Sequence, residues 1–84
     1  MNGLDTKGLI MFSTTQCPGC VQSAHHMNQF GIPFREVKVD GNMQLITMLA
    51  EMTKQRTVPQ FFFDGKHLTN GFQDVLRLHN EGVL

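Results

Sequence analysis

Apolar positions along the chain alternate between short continuous blocks and blocks spaced by three or four. LIMFS, Leu9–Ser13, lies between Gly8 and the polar run Ser13-Thr14-Thr15-Gln16, and it reads as a buried strand. From Pro18 to about Phe30 the pattern turns helical; Pro18 suits the first helical position, and Gly31 and Pro33 stop it. Residues 33–40, PFREVKVD, are rich in β-branched and aromatic residues and predict a second strand ended by Asp40-Gly41. Over 42–53, Leu45, Met48, Leu49 and Met52 recur at i, i+3, i+4 and i+7, one face of an amphipathic helix, with the methionines expected in the core. Gln60–Phe63 is the third strand. Asp64-Gly65 is a two-residue hairpin signal, and 66–68 is the returning strand. Phe72, Val75, Leu76 and His79 repeat the helical spacing in a last helix ending near Gly82.

The order is therefore β-α-β-α-β-β-α. A strand–helix–strand crossover implies a parallel pair, and the hairpin implies an antiparallel one. The expected architecture is α/β, a mixed four-stranded sheet flanked by three helices, as a single domain over 1–84. A chain of 84 residues is enough for one small domain and not two.

Charge narrows the partners. Seven basic and seven acidic residues give a net charge of zero, and no electrostatic case for nucleic acid or an anionic membrane. Residues 1–8 lack the apolar core of a signal peptide, and no run is long enough to span a bilayer. The expectation is a soluble, cytoplasmic protein.

The chemistry lies in TTQCPGCVQ, which holds the only two cysteines, Cys17 and Cys20. As a staple their disulfide would close a loop of two intervening residues and barely constrain the unfolded chain. Cys17 instead sits where the helix N-cap should be, with Cys20 one turn inside. A thiolate there meets unpaired backbone N–H groups and the positive end of the helix dipole, which should bring its pKa below the free value of ~8.5. Cys20 is placed to attack a mixed disulfide formed on Cys17. Pro18 fixes φ and has no N–H to satisfy. In a chain with a βαβ pattern, Cys-x-x-Cys reads as a thioredoxin-like redox motif.

Pro59 falls between a helix and a strand. A cis Val58-Pro59 bond would leave the Thr57 and Val58 backbone groups free to pair with an extended peptide; an ordinary trans proline at a strand start is the alternative. His25 and His26 lie more than a turn from Cys20 and ~100° apart on a helix, so they read as a solvated face rather than zinc ligands. His67 and His79 receive no role, and Arg35, Glu36 and Lys38 read as a solvated sheet edge.

Together, Cys17-Pro18-Gly19-Cys20, Thr57-Val58-Pro59-Gln60-Phe61 and Asn70-Gly71-Phe72-Gln73-Asp74 resemble a dithiol glutaredoxin of the thioredoxin-like superfamily, over residues 9–84. The resemblance implies glutathione-dependent reduction of protein disulfides and glutathione mixed disulfides. Cys17 would be the nucleophile and Cys20 the resolving thiol, in an active-site loop completed by Pro18 and Gly19. It implies glutathione as reducing cosubstrate, no metal, and a monomer. Thr57, Val58 and cis-Pro59 would flank the tripeptide, and Gly71, Phe72, Gln73 and Asp74 would hold its γ-glutamyl end at a helix N-terminus. The chain departs from the family pattern at Gly19, where tyrosine is usual, at Thr14, where lysine is frequent, at Ile46, where a polar or basic partner is common, and at Asn70 and Gln73. Arg56 and Lys54 are candidates to substitute for the missing basic groups. Two alternatives remain. One is a glutaredoxin-like electron donor to ribonucleotide reductase, fed by thioredoxin reductase. The other is an iron–sulfur or metal-binding module, for which the small Gly19 leaves room.

Overall fold

The computed structural model describes residues 7–84, so of the segment 1–8 read above for a signal peptide, residues 1–6 lie outside the described residues. Two central strands organise the sheet. β1 (Leu9–Ser13) and β3 (Gln60–Phe63) pair antiparallel, with Met11 opposite Phe61 and Ile10 opposite Phe62. β2 (Arg35–Lys38) joins β1 in parallel, and β4 (Lys66–His67) joins β3 antiparallel, for an order of β2-β1-β3-β4. Side chains alternate across a strand, so each central strand feeds two cores. Leu9, Met11 and Phe61 face Met27 of α1 (Pro18–Gln29) and Val75 of α3 (Phe72–Asn80). Phe12 and Phe62 face Leu45 and Leu49 of α2 (Met43–Thr53), with their rings edge-on at 5.5 Å. Covered on both faces, LIMFS and QFFF read as nearly unbroken apolar runs. Phe61 is fully buried, and truncating it to alanine should cost about 3–5 kcal/mol.

The hairpin is as the Asp-Gly pair predicts. Asp64 and Gly65 both take positive φ, 50° and 84°, which a two-residue turn needs to match the strand twist. Asp64 Oδ1 also accepts the Gly8 N–H at 2.7 Å.

Three boundaries differ from expectation. The second strand is Arg35–Lys38 rather than 33–40; Val39 N–H still bonds Ser13 O at 2.8 Å, but the turn closed by Asn42 N–H on Val39 O then bends the chain away. The fourth strand stops at His67, although Leu68 N–H still reaches Phe61 O at 2.9 Å. The last helix ends at Asn80, with Gly82 in the closing turn, where its N–H bonds His79 O at 3.1 Å.

The methionines are a correction. Met48 and Met52 are 46% and 58% exposed, not core. The sheet is small and meets only a narrow stripe of α2, formed by Leu45, Ile46, Leu49 and Thr53; Met48 and Met52 sit on its flank. The charged edge is also more than solvated, because Glu36 accepts the buried Ser13 hydroxyl at 2.6 Å and pairs with Lys38 at 3.1 Å. Those two bonds, the serine's first, hold the Glu36 carboxyl below its usual range. No helix of the described residues is long and apolar enough to cross a membrane.

Candidate active site

β1 carries the chain to a loop pinned by Asp40, whose two oxygens accept the Thr15 N–H at 2.8 and 3.0 Å. That backbone N–H keeps the Asp40 carboxyl below its usual range. Cys17 follows as the N-cap of α1, with extended backbone (φ −142°, ψ 95°) and Pro18 in the first turn. Its Sγ accepts the Cys20 N–H at 3.1 Å, so sulfur takes the place that serine or aspartate oxygen takes in an ordinary cap. No acidic residue occupies the first turn of α1. Cys17 and Cys20 form a disulfide with Cα atoms 5.2 Å apart. Both are buried, Cys20 at 2% and Cys17 at 8% exposure, and they belong to the core cluster against which Val58 and Phe72 pack.

The second wall is the loop between α2 and β3. The Thr53 hydroxyl donates to Leu49 O at 2.8 Å and accepts the Gln55 N–H at 3.1 Å, turning the chain out of α2. The Val58-Pro59 bond is cis, the first of the two readings left open above. The expectation of free backbone groups divides here. Thr57 O accepts the Gln60 side-chain amide at 2.7 Å and is engaged, whereas no backbone hydrogen bond among the described residues uses Val58. Gly19 faces Pro59; a Cβ on Gly19 would stand 3.7 Å from Pro59 Cδ, ordinary contact distance, so the space that tyrosine would enter is open at its base.

The third wall is the start of α3. Gly71 is its N-cap at φ 59°, ψ −132°, a conformation that suits glycine, and it makes no side-chain cap bond. Asp74, in the first turn, ties the helix back to the residue before the cap. Its carboxylate accepts the Asn70 N–H at 3.0 Å and meets Arg77 Nη2 at 3.4 Å. The Asn70 N–H is the main cause that holds the Asp74 carboxyl below its usual range.

These walls enclose an open groove of about 570 Å³. Among the residues expected at the site, Gly19, Thr57, Val58, Pro59, Gly71 and Phe72 line it. Gln73 is exposed outside it, Asp74 is buried behind it, and Pro18 is exposed at the helix start. Gln22, Ser23 and His26 complete the lining from α1. They stand at 19, 22, 23 and 26 with Gly19, which is i, i+3, i+4, i+7, so helical spacing alone could have found them. His26 is thus not merely solvated: its ring lies 6.0 Å from Phe72 and stacks on Phe30 at 6.3 Å. His79, left without a role above, stacks on Phe30 at 5.9 Å, and its Nδ1 is 3.1 Å from Leu84 O. A second cavity of about 120 Å³ beside Thr57 brings Thr14, Ile46 and Arg56 together; Lys54 does not line it. No group of three or more metal-ligating side chains converges among the described residues. The arrangement offers a dithiol at a helix N-terminus beside a peptide-sized groove; of the Cys17–Cys20 loop only Gly19 lines that groove, and among the described residues no backbone hydrogen bond uses Val58 at its edge.

The glutaredoxin family model matches residues 9–68. Glutaredoxin-C6 of Oryza sativa subsp. japonica is 40% identical over 79 residues, covering 90% of this chain and 70% of that relative. Glutaredoxin-C2 of Arabidopsis thaliana is 36% identical over 84 residues, covering 96% and 75%. Among solved structures, a buckwheat glutaredoxin–glutathione complex superposes with a TM-score of 0.75 at 30% identity, covering 94% of this chain and 74% of that one. A wheat glutaredoxin gives a TM-score of 0.73 at 35% identity, covering 90% and 72%.

Proposed function

The chain belongs to the glutaredoxin family, and from that premise we propose that it is a glutathione-dependent thiol–disulfide oxidoreductase with Cys17 as nucleophile and Cys20 as resolving thiol. One observation carries the reading: the Cys17–Cys20 disulfide sits at the N-terminus of α1, within the same buried cluster against which the groove residues Val58 and Phe72 pack. After reduction, the Cys20 N–H and the helix dipole favour a thiolate on Cys17. That thiolate attacks the glutathione sulfur of a mixed disulfide. The S–S bond breaks, the substrate leaves as a thiolate and takes a proton, and Cys17 is bonded to glutathione. A second glutathione thiolate then attacks this bond, giving glutathione disulfide and regenerating Cys17. For protein disulfides, Cys17 forms the mixed disulfide with the substrate, and Cys20 displaces it to leave the Cys17–Cys20 disulfide, which two glutathione molecules reduce.

Glutathione is extended, and the unpaired backbone of Val58 is the edge it would join by short β-addition, flanked by Thr57 and Pro59. Gly71 and Phe72 sit at the other end of the groove, where the N-terminus of α3 suits the γ-glutamyl carboxylate; Gln73 and Asp74 support that end from outside the lining. The same reading takes the chain as a monomer in the glutathione-poised cytoplasm, serving electron transport to protein disulfides, that of ribonucleotide reductase among them.

The test follows NADPH consumption on a glutathione–hydroxyethyl mixed disulfide, once with glutathione and glutathione reductase and once with thioredoxin reductase alone. Turnover in the first system is expected. Turnover only in the second would replace glutathione as the electron donor.

A further inference from the structure

We infer that His67 is a positioning residue for the groove, acting through Gln60 on the Val58 N–H; this rests on the functional reading above. The chain of contacts starts at a fixed point. Thr57 O is a backbone carbonyl and can only accept, and the Gln60 amide stands 2.7 Å from it. The Gln60 group there must be the NH₂, because an oxygen would set two acceptors against each other. The NH₂ also donates to Gln55 Oε1 at 3.2 Å. Gln60 Oε1 therefore faces the other way, toward His67 Nε2 at 2.9 Å. An amide oxygen needs a donor, so His67 carries its proton on Nε2 when neutral. A protonated ring keeps that same proton, and the bond survives in either charge state.

The consequence is at Val58. Thr57 C=O and Val58 N–H belong to one planar peptide unit, and in a trans unit they point in opposite directions. Only the following bond, Val58-Pro59, is cis. Gln60 is 4% exposed, so it holds the carbonyl from the protein side, which turns the Val58 N–H outward at the edge an extended peptide would join. Without His67, the buried Gln60 oxygen loses its donor and the amide is held by its two N–H bonds alone, less firmly than by three. The His67 ring also packs on Phe62 at 5.3 Å, so a variant must keep that contact to isolate the hydrogen bond.

The test uses the whole chain with two substitutions, His67→Phe, which keeps a ring and removes the donor, and His67→Gln, which returns an N–H donor. His67→Phe should raise the KM for the glutathione mixed disulfide about three- to tenfold with kcat within about twofold, and leave the rate of Cys17 alkylation unchanged; His67→Gln should recover most of the loss. Unchanged KM in His67→Phe, or a fall in kcat with no change in KM, would overturn the assignment. A second measurement is independent of turnover. ¹⁵N spectra of the imidazole should show neutral His67 protonated on Nε2, and the Val58 amide should shift in His67→Phe and return in His67→Gln. An Nδ1-protonated tautomer, or a Val58 amide indifferent to His67, would also overturn it. If the wild-type protein turns over no glutathione substrate while Cys17 alkylates normally, the functional reading falls. The positioning claim is then decided by the spectra alone.

Discussion

Two helix N-termini meet at the groove, and they solve the same problem in opposite ways. At α3 the chain places its own carboxylate in the first turn: Asp74 accepts the N–H of Asn70, the residue before the Gly71 N-cap. At α1 there is no acidic residue in the first turn, and the capping acceptor is the sulfur of Cys17 itself. Both termini present orphan N–H groups and a positive dipole end. Where a carboxylate is built in, that potential stabilises the fold. Where it is withheld, it remains for a thiolate, and stability gives way to reactivity.

The largest expected effect comes from replacing sulfur by oxygen. Cys17→Ser should abolish turnover on every disulfide substrate, yet serine is a good cap, so the reduced proteins should differ in stability by less than about 1 kcal/mol. Cys20→Ser should keep turnover on glutathione mixed disulfides and lose dithiol reduction of protein disulfides. Limiting iodoacetamide should label Cys17 before Cys20 in the reduced wild type. Preferential labelling of Cys20, or equal loss of both activities in Cys20→Ser, would contradict the assignment of roles.

Next is to give α1 the carboxylate it lacks. Gly19→Asp has room for its Cβ beside Pro59 and places a negative charge in the first turn. The helix should gain, while the charge competes with the Cys17 thiolate for the same dipole. A dipole interaction of about 0.3–1 kcal/mol corresponds to alkylation about two- to fivefold slower near neutral pH, with the pH profile moved upward. Gly19→Asn is the uncharged control. Equal rates in Asp and Asn variants would show that the empty first turn does not set the reactivity of Cys17.

The opposite operation at α3 is Asp74→Asn. The Asp74 carboxyl is held below its ordinary range, so its contribution to stability is full above the unfolded-chain value and is lost as pH falls through the lower folded value. Wild-type melting temperature should therefore drop more steeply below about pH 4 than that of Asp74→Asn. Asp40 and Glu36 are shifted in the same direction and should leave the variant a residual slope. Identical acid profiles would remove Asp74 from the account of the α3 terminus.

The same contrast explains what could be read from the sequence. Element order and the N-cap position of Cys17 follow from local signals: period, Pro18, Gly31 and the Asp64-Gly65 pair. The groove lining from α1 was legible only as a helical face shared by residues 19, 22, 23 and 26, on which His26 reads as solvated and Gln22 and Ser23 carry no signal of their own. Asp74 as a cap for Asn70 was less so, because the bond depends on the path of the 69–71 turn. The Thr15–Asp40 and Gln60–His67 bonds join positions on different strands and loops, and no local pattern encodes them. Met48 and Met52 were misplaced because a period of 3.6 finds an apolar face but does not say how much of it the sheet covers.

The smallest effect tests the end of the groove away from α3. Thr14 and Ile46 stand where basic or polar partners are common in the family, and the structure gathers them with Arg56 around one small cavity beside Thr57. On the proposed reading Arg56 is the cation at hand for the glycyl carboxylate of glutathione, and Thr14→Lys would add a second at the same place. An exposed ion pair contributes at most about 1 kcal/mol, so the KM for glutathione substrates should fall by only about two- to threefold at low salt, with kcat unchanged. The gain is electrostatic and should shrink as added salt shortens the screening length, and Thr14→Met, similar in length and uncharged, should not reproduce it. Arg56→Met should move KM in the opposite direction, and by less in the Thr14→Lys background, because the two cations serve one carboxylate. A KM indifferent to Thr14→Lys at low salt would place the carboxylate elsewhere, and the contrast between the two helix termini would then have to account for glutathione affinity without help from this cavity.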